Sequence, residues 1–480
     1  MKEIAVKFTI QMLIEESNQL PLSIPIHTIE RPCERVEDIG LHVGEAKALL
    51  GTLQNHVVRS QLAQLLDSRR PCGVCHQPRT LKGYHSLQFR TAFGDVALKS
   101  PRWYSCACEA RPLKTTFSPL AQVLTTHIAP ELEFLQAKWA AHLSFGAVAD
   151  LLHDVLPVDT RLHGETVREH VLATAERLEA DLGPEQVHFD AFSQRDIEAS
   201  PDPGAPVTVG LDGGYVRGRD KKAPGANGCF EVIAGKSIPE DGNAKVFALV
   251  KSIDQKPRRR LHEVLAAQGV LPRQRVTFLS DGGDSVRSLP GFLHPHSEHM
   301  LDWFHIAVRI EQLSQTARGV SGIDANNRKD EILHQLQRTK WFLWHGNVLS
   351  AEDTVVNLLD DIDGVLAELD YLDRENHAVL KRLSRTLTEF NGYIVNNRPG
   401  IPNYGERYRC HERISTGFVE STINQLVAKR MVKKQQMRWT PRGAHLLLQI
   451  RANVLNDDLA AAFRRWYPGF GGAEEAKLAA

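Results

Sequence analysis

Two segments of this sequence finish on the same tripeptide. VTVGLDGG carries Asp212 ahead of Gly213 and Gly214, and RVTFLSDGG carries Asp281 ahead of Gly282 and Gly283, 69 residues later (281 − 212). Each aspartate follows an apolar, β-like run. That places it at the C-terminal end of a strand, where open α/β sheets build their sites. Carboxylate oxygens are hard ligands suited to Mg²⁺. Glycines beside them let an ion and a substrate backbone come close. The plainer alternative is a tight turn, since Asp-Gly is a common turn pair.

A third carboxylate, Glu420, sits in ISTGFVESTINQLVAKRM, on a helix entered from a turn-like Ser-Thr-Gly. Lys429, Arg430, Lys433, Lys434 and Arg438 follow, with no acidic residue between Glu420 and Arg438. A carboxylate beside five cations suits a metal site that also holds a phosphodiester backbone. The alternative is a surface glutamate on a solvated basic helix. Asp302 and His305, in MLDWFHI, are three apart and share a helix face. They could bind metal, or position substrate or water; otherwise they are a helix cap and a buried histidine.

The cysteines suggest a second metal. Cys72-Gly-Val-Cys75 and Cys106-Ala-Cys108 flank about thirty residues rich in β-formers, the arrangement a zinc ribbon uses for a closed structural Zn²⁺ site. The second knuckle is one residue short, which leaves His76 and His85 as substitute ligands. A redox pair is the rival for Cys72 and Cys75, but no thioredoxin-like βαβ pattern surrounds them. With seven cysteines and no export signal at the N-terminus, the chain reads as a protein of a reducing cytoplasm, where clustered cysteines bind metal more often than they form disulfides.

These residues need a scaffold, and 480 residues with 42% hydrophobic content can build one. Basic and acidic residues balance at 58 each, so any nucleic-acid surface must be local. No apolar run is long enough to span a membrane. The pattern divides the chain into a strand and long amphipathic helix (1–70), a zinc-ribbon-like segment (71–112), a helical region (113–182), a linker (183–206), a first mixed-sheet part (207–310), a helical insertion (311–405), a second core part (406–460) and a tail (461–480). In the helical region, Ser144 should cap one helix. The next, with Arg161, His163, Thr166 and Arg168 near its start, could be the recognition helix of a helix-turn-helix-like DNA-binding unit, or part of a helical spacer.

RTAFGDVALKSPRWYSCAC, VGLDGGYVRG, FLSDGGDSV, LDWFHI and GFVESTINQLVAKRMVKKQQMRWT, in that order, resemble the successive blocks of the ISKra family of bacterial insertion-sequence transposases, and more distantly the Mutator-like group. The resemblance implies a multidomain α/β protein. Its RNase H-like mixed-sheet catalytic core would be interrupted by an all-helical insertion, with a catalytic triad of Asp212, Asp281 and Glu420 and with Asp302 and His305 beside it. It implies two Mg²⁺ (or Mn²⁺) ions per active site, strand cleavage at transposon ends and transfer into target DNA. The partners would be terminal inverted repeats, target DNA and further copies of the chain, in a bacterial, nucleoid-associated setting. The alternatives are a domesticated, non-catalytic DNA-binding regulator and a structure-specific nuclease. The triad should hold its carboxylates on the order of 4–8 Å apart, and their repulsion should raise the pKa of at least one.

Overall fold

A computed structural model describes residues 5–15, 20–32, 35–109, 115–185, 195, 199, 205–219, 228–271, 274–283, 297–321, 325–368, 374–432 and 438–471. The chain is mixed α/β and divides into two compact units, Met1–Ala175 with Asp457–Ala480, and Glu176–Asn456.

In the first unit β1 (Ala5–Ile14) pairs antiparallel with β2 (Leu22–Pro32). The sequence reading contains no β2. Pro25 within it argues against a strand, but here Pro25 lies opposite Gln11, where the register shifts. Helix α1 (Val43–Arg69) lays Val58 and Leu62 against Val96, Leu98, Leu87 and Phe89 of an antiparallel sheet. That sheet is β3 (Leu81–Thr91), β4 (Gly94–Tyr104) and the short β5 (Thr116–Phe117). Three helices follow: α2 (Pro130–Ala140), α3 (Phe145–Val155) and α4 (Gly164–Asp181). Ser144 caps α3 by accepting from the Ala147 N–H at 3.2 Å, which satisfies one of the donors a helix start leaves open.

His170 of α4 donates from Nδ1 to Gln136 Oε1 at 2.8 Å. Burial, with Arg90 nearby, lowers its pKa to about 4. The unfolded chain, with an ordinary histidine near pH 6.5, then binds the proton more readily than the folded one. Stability contributed by the neutral ring is complete above about pH 6.5 and is lost as pH falls toward 4. Urea midpoints of the first unit's unfolding should drop across that window, and His170→Gln should flatten the drop. An equal drop in both proteins would assign it to other groups.

The second unit is built on one five-stranded sheet. β6 (Val207–Arg217), β7 (Cys229–Ile238) and β8 (Lys245–Val250) form an antiparallel meander. Helix α5 (Pro257–Ala267) then leads into β9 (Val276–Ser280), parallel to β6, and β10 (Ser297–Leu301), parallel to β9. The spatial order is β10-β9-β6-β7-β8. Val209, Leu211, Leu249 and Phe278 form a core with Leu261 and Leu265 of α5. After β10 the chain is helical: α6 (Trp303–Ala317), α7 (Ala325–Trp344), α8 (Val348–Glu368) and α9 (Arg374–Asn397). They share a second core that includes Leu313, Leu336, Val355, Leu383 and Leu387. The short α10 (Tyr404–Arg409) and α11 (Gly417–Ile423) come next. A π-helical stretch (Asn424–Val432) continues from α11, and α12 (Pro441–Leu455) packs on β8. Among the described residues no helix is long and apolar enough to cross a membrane.

Candidate active site and metal centres

Asp212 is not at a strand end, as the sequence suggests, but in the middle of β6, which runs on to Arg217. The glycines after it continue the strand, and it is Gly210, before it, whose missing side chain packing requires. A Cβ on Gly210 would lie 2.2 Å from Val419 and 2.7 Å from Phe418, and one on Gly214 would lie 3.6 Å from Ile423. Side chains alternate along a strand, so Gly210, Asp212 and Gly214 share one face, and α11 lies across it. Glu420 belongs to that helix and is exposed. Asp281 follows β9 directly. Gly282 turns the chain with φ +80°, where a Cβ would strike Asn397 and Leu301. Backbone N–H groups donate to both aspartates, Gly213 to Asp212 Oδ1 at 2.7 Å and Gly283 to Asp281 Oδ1 at 3.0 Å.

Asp302 joins the parts. It is fully buried, and its N–H donates to the Ser280 carbonyl at 2.8 Å. Its carboxylate caps α6 by accepting from the Phe304 N–H at 2.7 Å, and it accepts from the Thr416 hydroxyl. Thr416 is the residue before α11, and the Trp303 N–H donates to the Ile414 carbonyl at 3.1 Å. Asp302 thereby ties the end of β9, the start of α6 and the entry to the Glu420 helix. His305 Nε2 lies 3.6 Å from Asp302. Burial raises the Asp212 pKa; the Gly213 N–H and His305 oppose the rise, and Asp281 and Asp302 add to it. The direction matches the sequence expectation, but the chief cause is desolvation rather than like charge. Asp212, Asp281 and Glu420 do not all lie within 4.8 Å of one another. Sequence reasoning missed Thr416; its only signal was the Ser-Thr-Gly before the helix. Thr416→Val should leave a buried carboxylate oxygen unsatisfied, costing about 1–3 kcal/mol. Urea unfolding measures this, and a midpoint equal to the native one would remove Asp302 from the tie.

The four cysteines do come together. Cys72, Cys75, Cys106 and Cys108 hold their sulfurs within 4.8 Å of one another. Cys72–Cys108 and Cys75–Cys106 are each 3.4 Å apart. No S–S bond has that length, whereas a zinc tetrahedron with bonds of about 2.3 Å has edges of about 3.8 Å. Backbone N–H groups of Cys75 and Val74 pull the Cys72 thiol down to about 7. The Cys106 and Cys72 thiols push Cys108 up to about 12. Glu109 accepts from the Cys106 N–H at 3.2 Å and pairs with Arg79, which fixes the second knuckle. His76 and His85 are not in the cluster.

A second group, Glu179, Asp254 and His445, is equally compact, but a cation already serves it. Buried Arg260 reaches Asp254 at 2.9 Å and Glu179 at 2.9 Å. The Val250 N–H donates to His445 Nδ1 at 3.3 Å, so the neutral ring carries its proton on Nε2, toward Glu179. That leaves no nitrogen lone pair for a metal. The group is a charge network without a local sequence signal, because its members are far apart in the chain.

The expected DNA-contacting residues differ in their surroundings. Asp159 engages Arg161 at 3.0 and 3.1 Å, and Glu165 engages Arg168 at 3.0 and 2.9 Å. Both cations are thus partly neutralised locally; Thr166 lines a small cavity of about 190 Å³ with Arg161. Lys429 and Arg438 are exposed. Arg430, expected in the same basic row, is instead fully buried 5.2 Å from the Trp439 ring centroid, and desolvation lowers its pKa to about 10. Lys433 and Lys434 lie outside the described residues.

No protein-family model matches the chain, and no curated protein matches it. Among solved structures it is similar to a Drosophila P element transposase strand transfer complex. The match has 12% identity, 69% of this chain and 93% of that chain covered, and a TM-score of 0.29. A likeness of that size decides neither fold nor activity.

Proposed function

We propose that this chain is a DNA transposase of the DDE type with an RNase H-like core, in which Asp212, Asp281 and Glu420 carry metal-dependent strand cleavage and transfer. The observation that carries the reading is the seat of α11 on Gly210 and Gly214, either side of Asp212. A helix beginning 136 residues after Asp281 (417 − 281) has no local reason to lie on the Asp212 face. The strand order, three antiparallel strands followed by two parallel ones on the β6 side, supports an RNase H-like sheet. The ISKra resemblance supports it from the sequence.

The donor set fits Mg²⁺ in kind, since all three groups offer hard oxygens. Enzymes that cut phosphodiesters with such carboxylates commonly hold a pair of ions about 3.5–4 Å apart, and Asp212, Asp281 and Glu420 would hold them here. Such ions, when bound, supply Lewis-acid activation of water and stabilisation of the leaving 3′ oxygen. The chain's residues do the rest. Asp212 and Asp281 present carboxylates fixed by backbone N–H bonds. Glu420 is exposed on the helix that lies over the Asp212 face. Asp302 holds the entry to the Glu420 helix and, with His305, borders the site. Incubating purified protein with supercoiled plasmid should give nicked circles in Mg²⁺ and none in EDTA. Nicking that persists in EDTA, or its absence in both Mg²⁺ and Mn²⁺, would overturn the reading.

The four cysteines are proposed as a structural zinc site. Purified protein should contain one zinc per chain, and stringent chelation should loosen the segment from Cys72 to Cys108. Elemental analysis without zinc, or unchanged proteolysis of that segment after chelation, would count against it.

A further inference from the structure

The helical block contributes one cation that neither the sequence pattern nor the carboxylate geometry explains. Arg309 is exposed on α6, four residues after His305, so the two share a face. Its guanidinium carbon lies 4.2 Å from the centroid of the Tyr393 ring on α9, well inside cation–π range. The Tyr393 hydroxyl donates to the backbone carbonyl of Asp281 at 3.0 Å. A tyrosine thus spans from the Asp281 turn to the arginine, and fixes where that charge stands. Burial raises the Tyr393 pKa strongly, so the ring stays neutral and a hydrogen-bond donor. Among the described residues no carboxylate forms an ion pair with Arg309, although Arg318, just past the end of the same helix, pairs with Glu311 at 3.0 Å.

An exposed arginine usually samples many rotamers. This one is held against an aromatic face, close to a carboxylate turn, with no ion-pair partner among the described residues. A planar guanidinium donates in a fork that matches phosphate oxygens, and holding it in place reduces the entropy lost on binding. We infer that Arg309, braced by Tyr393, is a phosphate-binding position that grips one phosphodiester of the nucleic-acid strand lying across the Asp281 turn. The inference rests on the DNA-processing reading and adds to it a residue and a contact. The ligand is the backbone phosphate, so the contact is indifferent to base sequence.

The test measures affinity of the full-length protein for a fluorescent, nicked 30-base-pair duplex in Ca²⁺, over a range of KCl concentrations. Arg309→Ala should weaken binding about five- to tenfold at moderate salt. It should also flatten the slope of log K against log salt by about 0.9, the loss of one duplex phosphate contact. Arg309→Lys keeps the charge and should restore most of the slope. Tyr393→Phe keeps the ring under the guanidinium and should leave the slope native. An unchanged slope in Arg309→Ala, with native protein binding DNA and nicking it in Mg²⁺, would overturn this contact alone. Failure of the native protein to bind the duplex would overturn the contact and the DNA-processing reading together.

Discussion

Protein carrying Asp212→Asn should bind duplex DNA as the native protein does and nick it at least about a hundredfold more slowly. Residues that merely support a metal ligand cost about 10- to 100-fold when replaced, so losing a ligand itself should cost more. Asn keeps the shape and the oxygen that accepts from the Gly213 N–H but removes the charge. Because burial raises the Asp212 pKa, the metal-free carboxyl takes up its proton at a higher pH than an ordinary aspartate, and nicking should fall away as pH is lowered through that step. Plasmid nicking and an electrophoretic shift assay, run on the same preparations, separate chemistry from binding. Native-rate nicking by the Asn protein would remove Asp212 from the site. Loss of both activities together would point to a damaged fold instead.

The second large effect concerns stability. Arg260→Ala should lower the unfolding free energy of the second unit by about 3–5 kcal/mol, the usual cost of removing one partner from a buried ion pair. Asp254 would then be left buried without its cation, and Glu179 would lose the guanidinium it pairs with. Replacing Arg260 and Asp254 together by Leu should cost less than Arg260→Leu alone, because a paired deletion leaves no stranded charge. Urea denaturation of the three proteins provides the comparison. A double variant no more stable than Arg260→Leu would show that the two side chains do not act as a pair.

The sequence reading located what depends on local pattern. Apolar runs ahead of the two Asp-Gly-Gly sequences placed β6 and β9, Ser144 announced the start of α3, and two cysteine pairs across a β-rich span met in space. It failed where a residue's local preference and its tertiary use differ. Gly213 and Gly214 read as the end of a strand, yet β6 continues through them, with Gly210 bare because a helix lies over that face. Pro25 hid β2 until its pairing showed a register shift beside it. Arg430 read as one cation in an exposed row, and only the packing around Trp439 places it inside. Thr416, Arg309 and Tyr393 are ordinary in sequence, since their meaning lies in partners on other elements. The carboxylate residues could be named from the sequence, but the tie that orients their elements could not.

The seat on Gly210 has a consequence for how the molecule comes into being. The side chains that fill it, Phe418 and Val419, emerge from the ribosome 208 and 209 residues after the glycine (418 − 210 and 419 − 210). Closing so long a loop is slow, and contacts of such high sequence separation form late in folding. The sheet and the helical block can therefore be largely in place while the Glu420 helix is still absent. A nascent or prematurely ended chain would carry its two aspartates without their third partner. In the proposed transposase, synthesis order would keep cutting silent until the Glu420 helix has been made.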